Sequence, residues 1–192
     1  MAGARRFGQA HTISLDFDGV LASLVLGRAW EKTRAAKKPI PLLSPLFRGL
    51  KTGLGSLTEG FRKPLPRAEE ALREWRSGGR ALYLLTSRTG PRIPAAERWL
   101  ERYGWHDLFE HLFFNFESED ADRFKAKIMG SAPIDVHIDD DAETLAYLSG
   151  RFPERSFVHM NRYRRRSPAA DNIVVVHSWE ELPAVFAAGR DL

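Results

Sequence analysis

Apolar residues fall along the chain in six short runs: TISLDF (12–17), RALYLLT (80–86), HLFFNF (111–116), IDVHID (134–139), SFVHM (156–160) and NIVVVH (172–177). Several show little alternation between apolar and polar positions, the mark of strands buried on both faces. Between them the apolar spacing changes to that of a helix. In PRAEEALREWRSGG, Ala68, Ala71, Leu72 and Trp75 share a face, and Gly78–Gly79 supply a stop. PAAERWLERYG begins with Pro94 in its first turn and ends at Gly104. ADRFKAKIMG, DAETLAYLSG and SWEELPAVFAAG read the same way. Strands alternating with helices predict an α/β fold, a doubly wound and mostly parallel sheet of Rossmann-like kind. Such sheets bind ligands at the carboxyl ends of their strands.

One stretch breaks this rhythm. Residues 21–64 show no convincing strand, while Leu43, Leu46, Phe47, Leu50, Leu54, Leu57 and Phe61 follow a helical period. The reading is a small, mainly helical insertion at 21–64 in an α/β core of 1–20 and 65–192. Gly49, Gly53, Gly55 and Gly60 weaken any long helix there. That favours a cap over a membrane-surface helix, for which Arg48, Lys51, Arg62 and Lys63 would be the flanking cations.

Composition narrows the picture. The length of 192 residues, 43% of them hydrophobic, suits one domain with an insertion. There is no cysteine, which excludes disulfides and thiolate metal sites and makes a reducing, cytoplasmic compartment the expectation. The N-terminal MAGARRFGQAH lacks the apolar stretch of a signal peptide, and no run reaches the ~20 residues of a membrane span. A net charge of +4 favours anionic partners. Part of that charge sits in RYRRRSPAADN, a basic loop.

Candidate chemistry lies at the strand ends. Asp16 closes the first run, Asp18 follows in the turn, and Gly19 permits that turn. Thr86 ends the second run, with Ser87 as its neighbour. Asp139, Asp140 and Asp141 end the fourth. One of the three is explained by capping the next helix, less easily all three. Lys125 and Lys127 precede them on a helical segment. Carboxylates gathered at one sheet edge repel unless a cation sits among them. An oxygen-only ligand set favours a hard ion such as Mg²⁺.

In this order, LDFDGV, ALYLLT, Lys125 in FKAKIM, and VHIDDD resemble the four motifs of the haloacid dehalogenase-like phosphohydrolases, over residues 13 to 141. The tail HMNRYRRRSPAADNIVVVHSWEELPAVF is more loosely similar to the small 5′-deoxyribonucleotidase-type branch. The resemblance implies a phosphatase in which Asp16 is the nucleophile and Asp18 the acid and base. It implies Thr86 on the phosphoryl oxygen and Lys125 balancing charge. Mg²⁺ would be held by Asp16, the Asp18 carbonyl and an acid of IDDD, with Asp140 favoured over Asp139 and Asp141. Gly19, Ser87, Asn161 and Arg162 are the implied substrate contacts. The second acid, Asp18, argues against dehalogenation itself. Val20 stands where the family often has Thr. The expected partner is a small phosphate ester, a nucleotide first. A phosphatase of polynucleotide ends and a binding module without turnover are the alternatives.

Overall fold

A computed structural model describes residues 7–23 and 62–187. Each of the six apolar runs forms a strand, and all but the fifth are somewhat shorter than their run. These are β1 (Thr12–Leu15), β4 (Ala81–Thr86), β5 (His111–Phe114), β6 (Val136–Asp139), β7 (Ser156–Met160) and β8 (Ile173–Val176). They make one sheet in the order β5-β4-β1-β6-β7-β8, every pairing parallel. The chain leaves β1 for β4 on one side and later returns to lay β6 on the other. The end of β1 is therefore the switch point of the sheet, where the crevice for a ligand opens.

The helices are α1 (Ala68–Ser77), α2 (Arg92–Arg102), α3 (Ala121–Ser131), α4 (Ala142–Arg151) and α5 (Leu182–Ala187). Alternation along the strands sorts side chains onto two faces. Ile13, Leu15, Leu82, Leu84, Val136, Ile138 and Val158 pack with α1, α2 and α5. Tyr83, Leu85 and Phe157 pack with Phe124 and Met129 of α3 and with Leu145 and Leu148 of α4. Ala68, Ala71, Leu72 and Trp75 are the buried face of α1, as their spacing predicts, and Gly78 is its C-cap. The described part of the tail segment, 178–187, is less regular than read: a 3₁₀ turn at Trp179–Glu181 precedes the short α5.

The insertion differs from its reading at both ends. Ala22–Ser23 (β2) and Lys63–Pro64 (β3) pair antiparallel, Ala22 opposite Pro64 and Ser23 opposite Lys63. Two residues per strand are too few to give a periodic signal. Leu21 and Ala22 belong to the core. Arg62 is not a surface cation flanking an apolar stripe but a buried side chain. The helical reading of the rest of the insertion, with Phe47 and Leu50, falls outside the described residues. No helix among the described residues is long and apolar enough to cross a membrane.

Candidate active site

Asp16 leaves the end of β1, and its N–H still donates to the Ile138 carbonyl at 2.9 Å, so it continues the ladder beside β6. On the helix-α3 face of these two strands lie Ser14, Asp16, His137 and Asp139. Lys125 of α3 closes over them. Its Nζ donates to Asp16 Oδ1 at 2.9 Å and to Asp139 Oδ2 at 2.6 Å, with only 3% of the side chain exposed. Lys127 points elsewhere, to Glu117 and Glu119 on the surface. Of the two lysines the helix offers, Lys125 alone reaches the acids.

The other oxygen of Asp16 accepts the Asp18 N–H at 3.0 Å. Burial pushes the Asp16 carboxyl up to about 7, and the charges of Asp139 and Asp18 push the same way, against Lys125. Burial also disfavours the Lys125 ammonium, but Asp139 and Asp16 outweigh it and hold its pKa above the ordinary range. Asp139 is buried too, yet Lys125 and His137 keep it ionised and below the usual carboxylate range.

The three consecutive aspartates do three different things. Asp139 is committed to Lys125, to His137 Nε2 at 3.1 Å, and to the Asp141 N–H at 3.1 Å. Asp141 caps α4, accepting the Glu143 N–H at 2.9 Å. Asp140 keeps its carboxylate without a donor among the described residues, and burial followed by Asp139 and Asp16 drives its pKa well up. Oxygens of Asp16, Asp139 and Asp140 lie within 4.8 Å of one another. Crowded oxygens, one of them lacking any donor, suit a hard cation. Asp16, Asp140 and Asp139 are thus the residues that could hold a hard cation such as Mg²⁺, with the turn at Asp18 alongside.

Gly19 makes this possible. Its φ is +76°, and an ideal Cβ there would stand 2.0 Å from Asp140 Oδ2. Thr86 is buried at the end of β4. Because Leu15 pairs with Leu84, it emerges about one residue beyond the level of Asp16. Ser87 follows, half-buried.

Asp18 has a setting the spacing of motifs did not reveal. Arg88 forks onto it, Nη2 to Oδ1 at 2.8 Å and Nε to Oδ2 at 3.1 Å. Arg62 also binds Oδ1, and Arg92 Nη2 binds Oδ2 at 3.0 Å. Arg88 is itself 1% exposed and lies 4.2 Å from the Phe17 ring centre. Burial pushes the Asp18 carboxyl up, but Arg88, Arg62 and Arg92 together hold it below its ordinary value. Arg62 also ties the foot of the insertion to this acid, since its carbonyl accepts Trp99 Nε1–H at 3.0 Å. A second unread pair is Ser14 and His137, whose Oγ and Nδ1 are 2.8 Å apart. Burial keeps that histidine neutral, Nε2–H toward Asp139.

Asn161 and Arg162 lie beyond β7. Both ends of the Asn161 amide are engaged within the basic loop. Arg162 lines a cavity of about 170 Å³ with Leu65, Pro66, Met160, His177 and Trp179.

No family model matches the chain, and no curated protein matches it. Solved structures do. A haloacid dehalogenase-superfamily hydrolase of subfamily IA from Geobacter sulfurreducens aligns with a TM-score of 0.60 at 12% identity, over 93% of this chain and 97% of that one. A haloacid dehalogenase-like hydrolase from Xanthomonas campestris gives 0.57 at 16%, over 96% and 100%. A protein from Bacillus subtilis named as a hydrolase of the same superfamily, in a structure bound to magnesium, gives 0.59 at 12%, over 93% and 99%. The chain thus has the fold of the haloacid dehalogenase-like hydrolases and phosphatases. These neighbours lend no support to the narrower 5′-deoxyribonucleotidase branch.

Proposed function

We propose that this protein is a Mg²⁺-dependent phosphomonoester hydrolase working through an aspartyl-phosphate at Asp16. The observation that carries the reading is the Asp16 carboxylate itself. It sits at the switch point of the sheet, its Oδ1 on Lys125 Nζ and its Oδ2 on the Asp18 N–H, beside Asp139 and Asp140.

Bound at Asp16 and Asp140, the cation would supply positive charge toward the phosphoryl oxygens. The chain's own groups do the rest. Lys125 works against the burial that raises the Asp16 carboxyl, so favouring the anion, and holds its Oδ1. The Asp16 oxygen attacks phosphorus, and the bond to the substrate alcohol breaks. In this reading Thr86, with Ser87 and backbone N–H groups of the Asp18–Gly19 turn, would donate to the transferring phosphoryl group. Asp18 protonates the leaving oxygen, then takes a proton from the water that attacks the aspartyl-phosphate, which frees Asp16 and inorganic phosphate. Its three arginines favour the ionised form, so the base half of this role is the better supported. Esters of acidic alcohols, which need little protonation, should react fastest.

The substrate class is an organic phosphate monoester, with the phosphates of nucleotides the first to be tried. Asp16 and its neighbours recognise only the phosphoryl group; Arg162, beyond β7 and lining a cavity, is a candidate contact for the rest of the molecule. A panel of phosphomonoesters with Mg²⁺ tests the reading. Hydrolysis that chelator abolishes and Mg²⁺ restores supports it. Full activity in chelator, or no turnover of any ester, refutes it.

A further inference from the structure

We propose that the loop after β7 binds the backbone of a single-stranded nucleic acid, so that the ester presented to Asp16 is a polynucleotide terminus. The second half rests on the reading of Asp16 as nucleophile; the first does not.

The loop is uniformly cationic. Arg162, Arg164, Arg165 and Arg166 fall within five positions, and no acidic residue occurs from Ser156 to Ala170. Arg164, Arg165 and Arg166 are exposed and have no carboxylate partner among the described residues. The arginines in and beside α1, by contrast, are paired: Arg67 with Glu70, Arg73 with Glu69, Arg76 with Glu110. A merely solvated loop has no reason to concentrate like charges, which repel one another.

The loop is also held in shape. Asn161 is 5% exposed. Its Nδ2 donates to the Arg165 carbonyl at 2.6 Å and to Ser167 Oγ at 3.0 Å, and its Oδ1 accepts the Arg165 N–H at 2.7 Å. His159, also buried, meets the same Ser167 Oγ at 2.8 Å. Arg164 takes a left-handed φ of 52° in the resulting turn. Buried polar groups are thus committed to presenting four guanidinium groups.

Tyr163 stands between two of them. Arg162 and Arg165 place their Cζ atoms 5.6 and 5.4 Å from its ring centre, and the residue is 40% exposed. Guanidinium groups bind phosphate oxygens in pairs and stack on flat rings, and an aromatic ring offers a base a stacking face. No aliphatic side chain stands among these arginines to enter a bilayer, which argues against a lipid surface.

Position selects the substrate. Asp139 pairs with His159, so the loop leaves the same sheet edge as the acids. It starts two strands from β1, about 10 Å away at ~4.8 Å per strand. A mononucleotide has one phosphate and places it at Asp16. A polynucleotide continues with further phosphates across the edge toward the arginines.

The test uses a fluorescein-labelled oligothymidylate of about twelve nucleotides with a 3′- or 5′-terminal phosphate, against the matching thymidine monophosphates. The oligonucleotide should bind with log K falling against log salt, and be hydrolysed with a kcat/KM at least tenfold above the mononucleotide at low salt. Changing Arg164→Ser, Arg165→Ser and Arg166→Ser together should weaken binding at least tenfold. It should lower the salt slope by about 2, at ~0.7 per phosphate contact, and collapse the ratio of the two kcat/KM values. Equal, salt-insensitive turnover of both substrates overturns the proposal, as does a triple variant that leaves that ratio unchanged. So does binding to phosphatidylserine vesicles without binding to the oligonucleotide. Oligonucleotide anisotropy measured with the Asp16→Asn protein reads the loop apart from the chemistry. If it persists while the unaltered protein cleaves no ester, the reading of Asp16 fails and the surface stands.

Discussion

The Asp140 carboxylate occupies the space that a β-carbon on Gly19 would need: its Oδ2 lies 2.0 Å from the ideal Cβ position. Gly19 also has a φ of +76°, a conformation that side chains resist. Gly19→Ala must therefore move either the turn or Asp140, and both carry groups assigned to the metal. The Mg²⁺ concentration for half-maximal activity is expected to rise at least tenfold, while the melting temperature of the metal-free protein falls only a few degrees. A variant with unchanged Mg²⁺ dependence would remove Asp140 from the metal's coordination.

Lys125 neutralises two buried carboxylates at once. Lys125→Met leaves Asp16 and Asp139 without their counter-charge, a loss of roughly 3–5 kcal/mol for a buried pair broken on one side. Added Mg²⁺ should recover part of that stability, because it brings charge to the same oxygens. Lys127→Met, about 3 Å of helix rise away, removes an exposed cation paired only with surface Glu117 and Glu119 and should leave both activity and melting nearly unchanged. Denaturant titration of the two variants, with and without Mg²⁺, checks the contrast. Similar losses in both would mean that helix α3, not the ammonium, is what matters.

These partners explain what could and could not be read from the chain. The strands were visible because the central ones are buried on both faces and so lack polar interruptions. Asp16, Asp18, Thr86, Lys125 and Asp140 were visible because they stand at run ends or in short motifs. Nothing local marks Arg62 before β3, Arg88 in the loop after β4 and Arg92 at the start of α2, which converge on Asp18 only after folding. Ser14 and His137 looked like polar interruptions of two strands. Register makes them each other's partner. Asp141 and Asp140 are neighbours of one type, and only the start of α4 separates the cap from the carboxylate left without a donor among the described residues.

Metal binding should be coupled to pH. In the metal-free protein burial raises the Asp16 carboxyl from 3.8 to about 7. A raised folded-state value means that the native state holds a proton the unfolded chain has lost. The corresponding stability is full below 3.8 and is lost as pH rises through about 7. Mg²⁺ must displace that proton, and competes as well with the one that burial favours on Asp140, so its apparent affinity should fall below pH 7 by about tenfold per unit for each proton displaced. Calorimetry in two buffers of different ionisation enthalpy should show more proton release per Mg²⁺ at pH 6 than at pH 8. Absence of release at pH 6 would mean Asp16 is already ionised there.

The two acids of the DFDG turn should fail in different ways. Asp16→Asn removes the attacking oxygen while nearly keeping the shape of the side chain, and no neighbour is placed to replace it. Turnover should drop to background for every ester. Asp18→Asn keeps the backbone N–H that Asp16 Oδ2 accepts and the backbone carbonyl assigned to the cation. It strips the counter-charge from Arg62, Arg88 and Arg92, so some loss of thermal stability is expected. Its chemical defect is the missing acid and base, typically ~10²–10⁴-fold. An aryl phosphate with an acidic alcohol needs little protonation, so its first step should survive better than that of an alkyl phosphate. The second step lacks its base with either substrate. Asp18→Asn should therefore release a burst of aryl alcohol, near one per protein, and then stall with phosphate on Asp16. Mass spectrometry of the acid-quenched protein locates the adduct. Phosphate found on another side chain, or steady turnover by Asp16→Asn, would show that attack on phosphorus does not come from the end of β1.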